Sequence, residues 1–176
     1  MIIKYLTLIL LTFFINNYVY SAAISTSTSG AKSDGRQDDT YLEVKNSNYK
    51  KGQDALKQAK KYAKKGKKNK AKKRFNDVIK YLILANEENP NEPDILNYLG
   101  YSFRKVDDFM MAEIYFEQGL AIDPQHIGIN EYLGELYIET NRIDRAKERL
   151  SVLKSCDCKE YKQLKEIIEG TKKSKY

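Results

Sequence analysis

Apolar residues recur at steps of three and four through the middle of this chain, as Ile95, Tyr98, Leu99 and Phe103, then Phe109, Ala112 and Phe116. Steps of that kind place one apolar stripe on the face of a helix. Sliding the chain by 34 residues lays Ile95 on Ile129, Tyr98 on Tyr132, Leu99 on Leu133, Gly100 on Gly134 and Phe103 on Tyr137. The match runs on through Phe109 on Ile143, Ala112 on Ala146 and Phe116 on Leu150, keeping small on small and large on large. Polar breaks at Val106-Asp107-Asp108 and Glu139-Thr140-Asn141-Arg142 divide each unit into two helices. The pattern predicts an array of antiparallel helical hairpins.

These residues resemble the tetratricopeptide repeat. Its succession of a large residue, Leu-Gly, an aromatic, Ala, an aromatic, a small residue and Pro is matched by Leu96, Leu99-Gly100, Phe103, Ala112, Phe116, Gly119 and Pro124. The small residues let the two helices approach, the aromatics fill the space beside them, and Pro124 stops the second helix. The next unit repeats Leu133-Gly134, Tyr137, Ala146 and Leu150 but has Asn130, Leu153 and Cys158 where the first has Leu96, Gly119 and Pro124. Upstream, an offset of 41 sets Ala59, Tyr62, Ala71, Phe75 and Val78 on Gly100, Phe103, Ala112, Phe116 and Gly119, with a loop at Lys65-Gly66-Lys67-Lys68-Asn69. The seven extra residues make about two helical turns, so the apolar face keeps its register.

The expected fold is therefore all-α, an α-solenoid of about three hairpins (49–90, 93–126 and 127–155) closed by a cap helix at 158–169 and a tail at 171–176. Seven helices are expected between Tyr49 and Gly170. Asp157 and Glu160 have the spacing of a capping box, and Gly170 falls where the last helix should end. With only 3 Pro and no Trp in 176 residues, the composition argues against a turn-dense β-sandwich.

Charge divides the chain. Lys50 to Lys80 carries 14 Lys/Arg against 2 Asp/Glu, whereas Tyr81 to Glu135 carries 2 against 11. Ahead of this, residues 1–23 read as a secretory signal: Lys4, then apolar Tyr5 to Ile15, then small Ser21, Ala22 and Ala23. The apolar run of about eleven residues is short of the roughly 20 that span a bilayer. Cleavage after Ser21 or Ala23 is expected, with a retained anchor as the competing reading, and the expected location is periplasmic or secreted. Residues 24–48, rich in Ser, Thr, Asp and Gly, are expected to be a disordered linker.

Little in the sequence points to catalysis. His126 is the sole histidine and is expected in a solvated loop, and no phosphate-cradling loop or nucleophile elbow is present. No catalytic residue, cofactor or metal is assigned. Cys156 and Cys158 are open to a structural, redox or metal role, the last disfavoured because two thiolates do not fill a four-ligand shell. The tail resembles that of small exported bacterial tetratricopeptide proteins, which carry Leu-Gly-Glu-Leu-Tyr and then a cysteine pair, here Leu133 to Tyr137 and the two cysteines. Their cysteines stand further apart, so whether a bridge forms here stays open.

The resemblance implies an interaction scaffold whose groove is lined by Asn97, Tyr101, Arg104 and Lys105 from one unit and Glu131, Glu135 and Glu139 from the next. Carboxylates beside Tyr suit an extended segment bearing Lys or Arg. A second hypothesis gives Lys60, Lys61, Lys64, Lys65, Lys67, Lys68, Lys70, Lys72, Lys73 and Arg74 an anionic envelope surface to hold, nucleic acid being set aside because export removes it. A third docks the basic hairpin of one copy on the acidic half of another.

Overall fold

The computed structural model describes residues 39–174, with side chains from residue 47. The expected signal at 1–23 and most of the expected linker lie outside the described residues. Seven α-helices follow one another: α1 (Asp39–Lys64), α2 (Lys68–Glu88), α3 (Pro93–Lys105), α4 (Phe109–Ile122), α5 (Ile127–Glu139), α6 (Ile143–Val152) and α7 (Lys159–Ile168). A short 3-10 turn, Leu153–Ser155, joins α6 to α7. Each of α1–α2, α3–α4 and α5–α6 packs as a hairpin, neighbouring hairpins touch through α2 with α3 and α4 with α5, and α7 packs on both α5 and α6.

The hairpin turns repeat as the sequence does. Asp107 and Asn141, 34 residues apart, both adopt left-handed backbone, with φ of 71° and 59°. Short polar side chains tolerate that conformation better than bulky ones. After its turn, α4 is started by Asp108, whose side chain accepts a hydrogen bond from the Met111 amide at 3.1 Å. Pro93 opens α3, where its missing N–H costs nothing, and Arg104 and Lys105 close it against the negative end of the helix dipole.

The stripe anticipated from periodicity forms one continuous core. Ala59, Ala71, Phe75 and Val78 of the first hairpin are buried, as are Leu99, Ala112 and Phe116 of the second and Leu133, Tyr137 and Ala146 of the third. A Cβ added to Gly100 would stand 2.5 Å from the Phe116 ring, so only glycine allows α3 and α4 to lie this close. Across the next boundary Arg142 donates to both oxygens of Glu113, each at 2.8 Å, and lies 4.5 Å from the Tyr137 ring centroid.

Four expectations need correction. Helix α1 begins at Asp39, inside the segment read as linker to residue 48; once a helix is nucleated, each residue fixed gains a hydrogen bond, whereas the first turn fixes several residues for one bond. The space beside Gly134 is filled by Leu164 of α7, not by Leu150, which is only half-buried, because the last hairpin is covered by a single helix. Asp157 makes no capping box: Cys158 is the residue flanking α7 and makes no side-chain cap, while Asp157 is turned into left-handed backbone. His126 is no solvated loop residue. Its side chain is 15% exposed, its Nδ1 accepts from the Ile129 amide at 3.1 Å to start α5, and its Nε2 lies 3.2 Å from Asp94.

The two repeat glycines should respond differently to a methyl group. Gly100→Ala drives into a rigid ring and is expected to destabilise by about 1 to 3 kcal/mol. Gly134→Ala meets the flexible end of Leu164, and the gain in helix propensity, about 1 kcal/mol, should nearly cancel its cost. Urea denaturation of the two variants checks the difference.

Candidate functional site

The first helix of each hairpin, together with α7, surrounds a concave pocket of about 310 Å3. Lys60 and Lys64 reach it from α1, Tyr101 and Lys105 from α3, Glu131, Tyr132 and Glu135 from α5, and Lys159, Glu160 and Gln163 from α7. Tyr101 is buried at its centre, its ring 4.7 Å from that of Tyr132 and 5.8 Å, edge-on, from that of Phe75. The ammonium groups of Lys60 and Lys105 lie 4.8 and 5.3 Å from the Tyr101 ring centroid, within cation–π range.

Beside the pocket, Arg104 ties α3 to α5. Its Nη2 donates to Glu135 at 2.6 Å and to Glu139 at 2.8 Å, and its Nε donates to the second oxygen of Glu139 at 2.8 Å. The same Nη2 donates to the Ser174 hydroxyl at 2.7 Å, and Ser174 donates in turn to Glu135 at 2.6 Å. Gln163 donates to the other Glu135 oxygen at 3.3 Å. Removing one partner from a buried pair of this kind typically costs about 3 to 5 kcal/mol, because the remaining charge is left without compensation.

Burial and neighbouring charge set the protonation of the site. Burial opposes the Arg104 charge, but its hydrogen bonds to Glu139 and the charges of Glu135 and Glu139 outweigh this and raise the pKa further. Burial likewise acts to raise Glu135, yet Arg104 and the hydrogen bond from Ser174 hold it below the ordinary carboxylate value. Glu131 has no such support. Burial, then the charges of Glu135 and Glu160, push its carboxyl up to about 7. Lys105 is pushed down to about 8 by burial and then by Arg104, and burial lowers Lys60.

Of the residues anticipated for the groove, Tyr101, Lys105, Glu131 and Glu135 line the pocket together. Asn97 does not: it is buried against Gly128 at the start of α5. Arg104 and Glu139 are taken up in their mutual pair. Tyr132, Lys159, Glu160 and Gln163 line the pocket and Ser174 bonds to Glu135 beside it, and none of these was anticipated. The 34-residue slide lays Lys105 on Glu139, which signals opposite charges on adjoining helices, but not that the neighbouring Arg104 makes the bond.

Of the basic residues, Lys61, Lys64, Lys65, Lys67, Lys68, Lys70, Lys72 and Lys73 are exposed on the first hairpin. Lys60 turns instead into the pocket, and Lys72 and Arg74 pair with Asp107 and Asp77 at 3.1 and 2.9 Å. Lys68 and Lys72 line a second pocket of about 450 Å3, with Phe75, Phe109 and the end of α3. Cys156 and Cys158 are joined in a disulfide, which leaves neither as a thiolate ligand. Among the described residues no three His, Cys, Asp or Glu side chains come together as a metal site.

The hairpins of the C-terminal half are matched by a family model. Residues 111–168, from α4 to the end of α7, match the family model of the tetratricopeptide repeat. No curated protein matches the chain. Among solved structures, the Arabidopsis OM64 TPR domain is similar at 15% identity with a TM-score of 0.48, over 71% of this chain and 99% of that one.

The state of Glu131 makes stability depend on pH. Its folded pKa of about 7 stands above its ordinary value of 4.5, so between these two the unfolded chain has lost a proton that the folded chain keeps. This contribution to stability therefore falls as pH rises through that window. The Lys105 titration lies higher and does not overlap it. Urea denaturation from pH 4.5 to 8 should show a shallower decline for Glu131→Gln than for the parent chain.

Proposed function

Since the chain is a tetratricopeptide repeat protein over residues 111–168, we propose that its concave pocket receives an extended segment of a protein partner, seating a Lys or Arg side chain on Glu131. Arrays of this family act as protein-interaction scaffolds, generally without catalysis of their own. The observation that carries the finer reading is Glu131 itself. It is 5% exposed, lines the pocket, and among the described residues makes no hydrogen bond or ion pair. A buried carboxylate without a partner is costly, and an incoming cation relieves that cost. Tyr101 and Tyr132 offer aromatic surface beside it, while Lys60, Lys64, Lys105 and Lys159 limit how many cations one segment can bring. We place this activity in the periplasm or outside the cell, on the strength of the secretory pattern at 1–23.

The exposed lysines of α1, α2 and the turn between them favour a second reading, attachment to an anionic envelope surface. Of the eight, Lys72 alone has an ion pair among the described residues.

Two measurements test these readings. An extended peptide with one central Lys and a neighbouring Tyr should bind more tightly at pH 8 than at pH 6, as Glu131 ionises. Glu131→Gln should weaken binding about tenfold at pH 8 and flatten the dependence below the Lys105 range; equal binding by the variant would refute the seat. Binding to anionic vesicles of phosphatidylglycerol should fall steeply from low to moderate salt if the lysines carry it, and a flat response would dismiss that reading.

A further inference from the structure

The pocket of about 450 Å3 opens where the turns of the first two hairpins meet. Gly66 and Lys68 bound it from the turn between α1 and α2, and Asp107 and Phe109 from the turn between α3 and α4. Its walls divide by chemistry. Ala71 and Phe75 are buried, and Ala63 and Phe109 half-buried, which gives it an apolar side. Lys68, Lys72, Arg104 and Lys105 supply four cations, against which stand two carboxylates, Asp107 and Glu139.

Both carboxylates are already committed. Both Glu139 oxygens accept from Arg104, at 2.8 Å each, and Asp107 pairs with Lys72 at 3.1 Å across an exposed contact. Exposed pairs of that kind hold weakly, so Lys72 is able to turn to a better acceptor. Arg104, almost wholly buried, has a donor left over: its Nη1 has no hydrogen-bond partner among the described residues. A buried donor left unmet is costly. Burial, and then the Arg104 charge, push Lys105 down to about 8, as expected of cations held together in a partly dry place. The opening turn of α2 lines the same pocket through Lys68, Asn69 and Ala71, and it has neither a side-chain cap nor an acidic residue. The positive end of that 21-residue helix thus meets the pocket without an acid of its own.

We propose that this pocket seats a phosphate monoester carried on an apolar or aromatic body. Four cations less two carboxylates leave a surplus of two positive charges, which a phosphate monoester, close to a dianion at neutral pH, balances. A carboxylate balances half of it. A guanidinium and the amides of a helix start both suit phosphate oxygens, while Phe75 and Phe109 offer surface to the body of the ligand. The site is distinct from the Glu131 pocket and takes a ligand of the opposite charge, although Lys105 lines both. It also differs from a diffuse attraction of the exposed lysines, because Lys68 and Lys72 line it and the other six do not.

Isothermal titration calorimetry of the chain with phenyl phosphate, at neutral pH and low salt, tests the seat. Lys68→Gln combined with Lys72→Gln should weaken binding about tenfold. Lys61→Gln combined with Lys73→Gln removes the same charge from exposed positions outside the pocket and should leave affinity within about twofold. Circular dichroism verifies that both double variants keep their helices. Equal losses in the two double variants would reduce the seat to general attraction and overturn the inference. So would the absence of binding, or binding of benzoate or of inorganic phosphate as tight as that of phenyl phosphate, since the first denies the phosphate and the second the apolar wall. Vesicles separate the sources of the ligand. Retention on phosphatidic acid above that on phosphatidylglycerol, lost in the pocket variant, makes the ligand a lipid headgroup; equal retention beside intact phenyl phosphate binding makes it a soluble ester.

Discussion

Phe116 lies against the backbone of Gly100, closer than any side chain would permit, and that contact fixes the separation of α3 from α4. The other face of α3 then has only one place to go. It carries Tyr101, Arg104 and Lys105 to the concave side, opposite α5. A methyl group at Gly100 would act first on packing and only then on the pocket, because the same helix serves both. Repetition of this geometry with Ala112 and Ala146, both fully buried, lets successive hairpins share one core.

The pocket combines two electrostatic states a short distance apart. Glu135 stays ionised because Arg104, Ser174 and Gln163 satisfy it. Glu131, one helical turn earlier, loses water without gaining a bond, and so holds its proton to near neutrality. The first carboxylate belongs to the architecture, and the second is held by burial alone. Lysines among its lining residues keep the pocket from being simply acidic.

Periodicity made the helices, their turns and the buried small residues legible, since residues such as Ala112 and Phe116 are held by a stripe that recurs every 34 positions. It could not show that Leu164, rather than Leu150, would stand beside Gly134, because this depends on which helix covers an unpartnered end. The capping role of His126 was hidden for a similar reason: a histidine ring accepts an amide proton only when the backbone around it is already turned. Of the groove positions that the resemblance implied, Tyr101, Lys105, Glu131 and Glu135 line the pocket while Asn97 is buried against Gly128, and Ser174 could not be placed from a polar tail, whose destination depends on the reversal at Gly170. Cys156 and Cys158 carried too little local pattern to decide between open and joined forms, and the structure joins them.

Helix α7 covers the flank of the third hairpin and fills, with Leu164, the hollow that another unit could use. An open solenoid can in principle grow head to tail into filaments. Here growth in that direction is stoppered: a newcomer would first have to prise off the terminal helix, together with the strap that runs from it to Arg104. Addition of a unit at that flank would thus require α7 to come away first, and with it the bond from Ser174 to Arg104.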